Sequence, residues 1–271
     1  MAANGSLAPG LAAYPAAVPK ASLAAWIVVV VAGASACSQT PLAEMDEIYS
    51  EAAPPRILCS ADLDEHADIA LDSVLGGLDR AHERAEVIHL YAHAPGKSVS
   101  VERLRAVLDR ADALGLTYVT YAELGQAATP AGGLALSFDD SDVAAWWSIR
   151  DLLAAHGVHA TFFVTRFDLM SDAERAQLHQ LADDGHAIEA HGLRHLNGPD
   201  YVTEYGLDAY MQDEVLPSLD LLRADGFAPT VFAYPYGRRT SEIDDAVLAV
   251  VDRVRSVSFP YEGLISDPCP E

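Results

Sequence analysis

From Pro55 onward, short apolar runs alternate with helical segments, and this pattern constrains the fold more than any other feature. Strand candidates lie at 56–61, 86–93, 117–124, 134–138, 159–165, 186–191, 229–235 and 253–259. Several are continuous apolar runs with β-branched or aromatic residues, which is typical of strands covered on both faces. Helical spacing and stop signals indicate helices at 100–114, 143–155, 172–184, 205–225 and 241–251. The alternation predicts a parallel α/β barrel or another closed α/β sheet.

Length and charge narrow the class of protein. The chain has 271 residues, 51% of them hydrophobic, and a net charge of −23. This is enough chain for one large α/β domain or two smaller ones, and it is too apolar for extensive disorder. The acidity argues against a nucleic-acid backbone or an anionic membrane surface as partner. We therefore expect no nucleic-acid partner.

The first 36 residues predict export. They contain no acid and one base, Lys20, followed by an apolar stretch over 23–31 that is too short to span a bilayer. Small residues then lead into Cys37, which resembles a bacterial lipoprotein signal. We predict a signal peptide over 1–36, lipidation of Cys37, and a tether over 37–55. The protein would then be held in a bacterial envelope, in the periplasm or at the outer surface, by its lipid alone. The alternative is ordinary signal cleavage and secretion.

Chemically active residue types gather where predicted strands end. In parallel barrels, catalytic groups collect at the carboxyl ends of the strands. These ends carry residues that bind metals, move protons or present backbone donors, namely His93, Asp139, Asp140, His191, His195 and the segment 234–237.

His191 and His195 lie four positions apart, so on one helical turn both imidazoles could reach one cation. One acid of the Asp139–Asp140 pair could complete a three-ligand site, while the other accepts a proton from water. The residues alone leave open two simpler interpretations. The histidines could lie in a surface loop, and the acids could form a turn or a helix cap.

Together these motifs resemble the metal-dependent polysaccharide deacetylases, carbohydrate esterase family 4, which includes nodulation-factor and chitin deacetylases. SFDD (137–140) matches the family's T-F-D-D, HGLRH (191–195) its H-[ST]-x-x-H, FAYPYG (232–237) its R-P-P-Y-G region and LYAH (90–93) its late L-x-H motif. The resemblance covers essentially 56–265. It implies a distorted (β/α) barrel and a hydrolase that removes acetyl groups from an N-acetylated or O-acetylated polysaccharide of the cell envelope or surroundings.

The resemblance also implies roles for the acids and histidines. Asp140, His191 and His195 match the ligands of Zn²⁺ or another divalent transition metal. Asp139 matches the general base that activates water.

Other matched positions would complete the reaction site. His93 matches the general acid, and the alternative is a half-buried histidine that closes a strand. The backbone N–H of Tyr236 would stabilise the oxyanion. Leu90 would line the acetyl pocket, and Pro235 and Tyr236 would contact substrate.

Three departures from the family pattern predict weaker support for these groups. Gly192 stands where Ser or Thr usually braces the metal loop. Ala233 stands where an Arg often pairs with the base. No clear Asp-x-x-Asp-Trp motif is present to hold the acid histidine, and the segment 60–65 (SADLDE) is only a weak candidate.

Motif order predicts a circular permutation. The domain 56–271 would comprise the family's C-terminal part first (56–124), then a linker (125–133), then the part bearing the metal and base motifs (134–271). The new ends should lie side by side, near Cys59 and Cys269. With Cys37 lipidated and an oxidising location, we predict a disulfide between Cys59 and Cys269. The alternative is two unpaired cysteines.

The expected partner is an acetylated glycan bound by a monomer. Two other functions remain open at this point. One is hydrolysis of small amides on the same barrel, and the other is glycan binding with little turnover.

Overall fold

Seven parallel strands close into a barrel, which confirms the predicted fold class. The computed structural model describes residues 40–51, 53–126, 128–129, 131–258 and 265–270. Its strands are β1 Tyr49–Ser50, β2 Ile57–Asp62, β3 Val87–Ala92, β4 Thr117–Tyr118, β5 Gly133–Asp140, β6 Thr161–Val164, β7 Ala187–Ala190, β8 Val231–Ala233 and β9 Arg253–Val257. Their order is β1-β3-β2-β9-β8-β7-β6-β5-β4, and an additional β3–β5 pairing closes the ring.

Helices cover the outside of the barrel. They are α1 Leu71–Arg84, α2 Val101–Leu114, α3 Val143–Ser148, α4 Arg150–Ala155, α5 Asp172–Asp183, α6 Gly198–Tyr205, α7 Leu207–Tyr210, α8 Leu216–Ala224 and α9 Ser241–Val247. Sequence signals fix several ends: Ser171 and Glu174 form a capping box at α5, and Gly115 ends α2 with φ 69°. No helix in the described part of the chain is long and apolar enough to cross a bilayer.

The predicted tether is partly folded, so the expectation for 37–55 is wrong over Leu42–Ser50. Leu42 and Ile48 are fully buried, and Tyr49–Ser50 pairs antiparallel with β3. The Tyr49 hydroxyl donates to the backbone oxygen of Gly77 in α1 (3.2 Å). The segment shows no periodicity because distant elements, rather than its own neighbours, bury its apolar side chains. Residues 1–39, with the predicted signal and Cys37, lie outside the described residues.

Two elements differ from their predicted lengths. The strand expected at 117–124 is reduced to β4, after which the chain turns. The helix expected over 205–225 is interrupted, because a π-helical turn, Met211–Val215, separates α7 from α8. Such turns are frequent at functional sites.

Alternation along β3 shows how the core divides into two layers. Ile88, Leu90 and Ala92 pack in the layer between barrel and helices, whereas Val87 belongs to the cluster inside the barrel. His89 is fully buried, and its Nε2 lies 2.9 Å from Ser50 Oγ. Residues two apart on a strand share a face, so Tyr91 and His93 continue the inner face of β3 toward its carboxyl end.

The predicted disulfide between Cys59 and Cys269 is present, with a Cα–Cα distance of 6.1 Å. Cys59 lies in β2 and Cys269 in the C-terminal segment. Arginine side chains hold the same segment, because Arg238 Nε donates to the Ile265 oxygen (2.7 Å) and Arg239 Nη1 to the Pro268 oxygen (2.6 Å).

Candidate active site

The predicted strand-end residues meet in one cavity at the carboxyl ends of the barrel strands. Its volume is about 310 Å³, and it is lined by Asp64, His66, Tyr91, His93, Ser98, Asp139, Asp140, His191, His195, Tyr234, Tyr236, Gly237, Arg255 and Val257. Parallel strands bring their carboxyl ends to one face of a barrel, so motifs distant in sequence converge there.

Asp140, His191 and His195 form a compact donor cluster. Asp140 Oδ1 lies 3.2 Å from His195 Nε2 and 3.8 Å from His191 Nε2, and ligand atoms of all three lie within 4.8 Å of one another. Ligands about 2.0–2.2 Å from a tetrahedral cation are separated by roughly 3.4 Å, so the cluster has the right size for Zn²⁺. His191 is 2% exposed, which contradicts the surface-loop interpretation for this residue.

Protonation states also suit a cation. Burial lowers the pKa of His191 to about 4, so its imidazole is neutral at pH 7. His191 Nδ1 lies 2.9 Å from the Ala233 carbonyl oxygen and donates to it, which leaves the Nε2 lone pair facing the cluster. Burial alone would raise the pKa of Asp140, but the His195 hydrogen bond and the nearby histidine charges lower it, so the carboxylate is ionised.

Three cavity residues have a left-handed backbone although none is glycine. The φ angles are 87° for Asp140, 63° for His195 and 60° for Tyr236. Such conformations cluster at functional sites because the surrounding structure must hold them in place. His195 therefore does not follow His191 on a helical turn, as the spacing suggested. A loop brings the two imidazoles together, with ring centroids 4.9 Å apart.

The general-base candidate, Asp139, has an arginine partner, so the expected lack of charge support is wrong. Asp139 is 2% exposed, and Arg255 Nη2 donates to both of its carboxylate oxygens. Ala233 of β8 pairs in register with Arg255 of β9. The neighbouring strand thus supplies Arg255 directly beside position 233, where the family often has its arginine.

Arg255 is held rigidly. Its guanidinium carbon lies 5.0 Å from the Tyr91 ring centroid and 4.9 Å from that of Phe163, within cation–π range. Burial would lower the pKa of Arg255, but the Asp139 charge and hydrogen bond raise it. The sequence signal for Arg255 is a charged residue in the middle of an otherwise strand-like run, RVRSV.

Asp64 holds the general-acid candidate, His93. Asp64 Oδ2 lies 2.5 Å from His93 Nδ1, and Asp64 Oδ1 also accepts from Ser98 Oγ (2.9 Å). The segment 60–65 therefore does contain the acid that holds the histidine. Trp146 Nε1 donates to the His93 carbonyl oxygen (2.8 Å), which fixes the backbone.

His93 is held in its cationic form. Burial would lower its pKa, but the Asp64 hydrogen bond and the charge of Asp139 raise the pKa of His93 to about 9. Since Nδ1 faces Asp64, Nε2 is the nitrogen left for a substrate in the cavity. These contacts are those expected of the predicted general acid.

Leu90, which was expected to line the acetyl pocket, lies away from the cavity. Leu90 is fully buried in the helix-side layer and is not among the described residues lining the cavity, because it lies on the opposite face of β3 from His93. Tyr91, two residues before His93, lines the cavity instead. Pro235 is buried and begins the 3₁₀ turn Pro235–Gly237, which presents Tyr236. Tyr236 is 48% exposed, and its ring centroid lies 4.5 Å from that of His195.

The matched family agrees with this site. Residues 126–253, a little under half of the chain, match the polysaccharide deacetylase family. This part of the chain is therefore similar to the polysaccharide deacetylases. No curated protein matches the sequence.

Solved structures share the fold at low sequence identity. IcaB from Ammonifex degensii is 18% identical with a TM-score of 0.52, over 67% of this chain and 90% of that one. A de-N-acetylase from Aggregatibacter actinomycetemcomitans is 19% identical with a TM-score of 0.51, over 61% and 85%. A polysaccharide deacetylase from Bacillus cereus is 15% identical with a TM-score of 0.52, over 68% and 62%. These similarities establish the deacetylase barrel.

Proposed function

We propose that the protein is an exported, zinc-dependent deacetylase acting on an N-acetylated polysaccharide of the cell envelope or its surroundings. One observation carries the proposal. A three-donor cluster of Asp140, His191 and His195 faces the same cavity as a buried carboxylate, Asp139, and a cationic histidine, His93.

A divalent cation held by Asp140, His191 and His195 would polarise the acetyl carbonyl and make water more acidic. The residues of the chain supply the remaining chemistry. Asp139 accepts a proton from the attacking water, and the hydrogen bonds from Arg255 fix the direction of that carboxylate. The Tyr236 backbone N–H is the proposed donor to the oxyanion.

The state of His93 favours amides over esters. An amine leaves an amide only if its nitrogen receives a proton, whereas an activated alkoxide needs none. A histidine whose pKa is about 9 still carries that proton at neutral pH. This supports hydrolysis of the amide of an N-acetyl group.

Export is proposed from the sequence of residues 1–36, with Cys37 as the lipidated residue and the protein acting as a monomer. The Cys59–Cys269 disulfide supports an oxidising compartment.

We also propose that the domain is circularly permuted. In the barrel, β2 and β3 lie between β9 and β5, although in the chain they precede β5. The family match begins at residue 126, after both strands, and His93 at the end of β3 still reaches the cavity.

Acetate release from N-acetylglucosamine oligomers and a panel of acetylated polymers, with and without chelator, tests the function. Asp139→Asn should keep zinc and lose activity by about 10²-fold or more, whereas Asp140→Asn should weaken zinc binding. Asp142→Asn is the matched control, because Asp142 only caps α3, accepting from Ala145 N (3.1 Å), and pairs with Lys97.

Three outcomes would contradict the proposal. Full activity after chelation would exclude a required metal. Glycan pull-down without acetate release would indicate a binding module, and acetate release from small amides alone would indicate a small-molecule hydrolase.

A further inference from the structure

We infer that Glu214 is a positioning residue for the metal ligand His195, and that Gly192 is glycine because the Glu214 carboxylate occupies the space a side chain would need. This inference rests on the proposed metal-dependent function.

Glu214 holds the loop that carries His195 by accepting hydrogen bonds from its backbone. Its Oε2 accepts from Arg194 N (2.7 Å) and its Oε1 from Leu196 N (2.8 Å). Its backbone oxygen accepts from Leu193 N (3.1 Å). The two carboxylate contacts therefore fix the residues immediately before and after His195, whose own φ is 63°. Bonds from N–H groups to a carboxylate are strong and directional enough to hold such a backbone.

Glu214 comes from a different element than the loop it holds. It lies in the π-helical turn Met211–Val215 and is fully buried, and its carboxylate contacts are to backbone donors. A buried carboxylate is costly unless its oxygens accept hydrogen bonds, so burial against this loop indicates a specific fit rather than an incidental contact.

The fit explains Gly192. A Cβ atom at position 192 would lie 2.1 Å from Glu214 Oε1 and 2.8 Å from Cδ, so a side chain there and the carboxylate exclude one another. The φ of 79° at Gly192 also favours glycine. The resemblance predicted a lost hydroxyl brace at this position. In this chain, a carboxylate from another element braces the loop instead.

Zinc affinity tests the inference, measured on the full chain by competition with a chromophoric chelator. In Glu214→Gln one carboxylate oxygen becomes an amide N–H₂ that faces an N–H donor, so the loop must move. Loss of an interaction that orients a metal ligand typically raises the metal Kd by about 10–100-fold. The visible absorption of the Co²⁺-loaded variant should change with the ligand geometry.

Glu189→Gln is the matched control. Glu189 is 2% exposed and its Oε2 accepts from Thr230 N and Val231 N (both 2.8 Å), so this buried carboxylate holds backbone at the start of β8 rather than the loop that carries His195. Both variants should lower the melting temperature, but Glu189→Gln should leave the zinc Kd within about twofold of wild type. If the zinc Kd changed equally in both variants, the change would reflect a general loss of stability, and the inference would be overturned.

A double-mutant cycle tests the shared space. Gly192→Ala should raise the zinc Kd in the wild-type background and much less in the Glu214→Ala background, where the colliding carboxylate is gone. Additive effects, or a Glu214→Gln Kd equal to wild type, would overturn the role of Glu214 while leaving the metal site intact. A wild-type chain that binds no zinc would instead refute the proposed metal dependence, and this inference with it.

Discussion

Arg255→Ala removes the cationic partner of Asp139. The guanidinium and the carboxylate are both buried, at 0% and 2% exposed, and Arg255 Nη2 donates to both carboxylate oxygens. After the substitution Asp139 stays buried without a compensating charge. The carboxylate then lacks both its charge partner and the hydrogen bonds from Arg255.

Breaking a buried ion pair by removing one partner typically costs about 3–5 kcal/mol. Arg255 also packs against the Tyr91 and Phe163 rings, so lost packing adds to that cost. At about 2–4 °C per kcal/mol for a domain of this size, the melting temperature should fall by roughly 10 °C. Arg255 also fixes the direction of the Asp139 carboxylate, so we expect acetate release at neutral pH to fall as well.

The assay combines urea unfolding with acetate-release kinetics. Arg80→Ala is the control, because Arg80 is 6% exposed and paired with Asp46 and Glu86 but does not line the cavity. It should lower stability and leave the acetate-release rate of the folded protein unchanged. If Arg255→Ala costs less than about 1 kcal/mol and keeps the wild-type rate, the assigned pairing with Asp139 is refuted.

The register suggests a rescue. Because Ala233 pairs with Arg255 across β8 and β9, Ala233→Arg combined with Arg255→Ala returns a guanidinium to the same level of the barrel. We expect the double variant to recover part of the acetate-release rate. Recovery of stability without any recovery of this rate would count against a role for the guanidinium in supporting Asp139.

Two further predictions concern the acid and the disulfide. Asp64→Asn removes the charge that raises the pKa of His93 to about 9, so the basic limb for amide substrates should move down by about one pH unit or more, with activated esters little affected. If the basic limb does not move in Asp64→Asn, the pairing of Asp64 with His93 is contradicted. The same raised pKa means that protonated His93 stabilises the fold below about pH 6.5, and this contribution is lost as pH rises through 9. Cys59→Ser with Cys269→Ser opens a bridge spanning 210 residues, and on the chain-entropy model urea unfolding should show a loss of about 5 kcal/mol, less any relieved strain. A loss under about 1 kcal/mol would show that the bridge is not a main source of stability.

Local sequence determined the barrel strands and the metal-binding residue types. Runs such as LALSF and ATFFV are apolar without alternation, so they can be stable only when both faces are covered, and parallel strands place their following residues at one end of the sheet. That reasoning was enough to bring Asp139, Asp140, His191 and His195 together. The cysteine pairing followed from chain order in the same way.

Tertiary structure alone decided what supports those residues. The supporting residues come from distant parts of the chain. Arg255 lies 116 residues from Asp139, Asp64 lies 29 from His93, and Glu214 lies 18–20 from its partners in the His195 loop, and no local spacing encodes such contacts. The tertiary structure also decided which face of β3 carries Leu90. Side chains along the strand alternate between the barrel interior and the helix-side layer, so a shift of one residue would move Leu90 from one to the other. Local pattern specifies which side chains can do chemistry. Long-range packing sets their charge and direction, because burial and partner charges arise only once distant strands are in register.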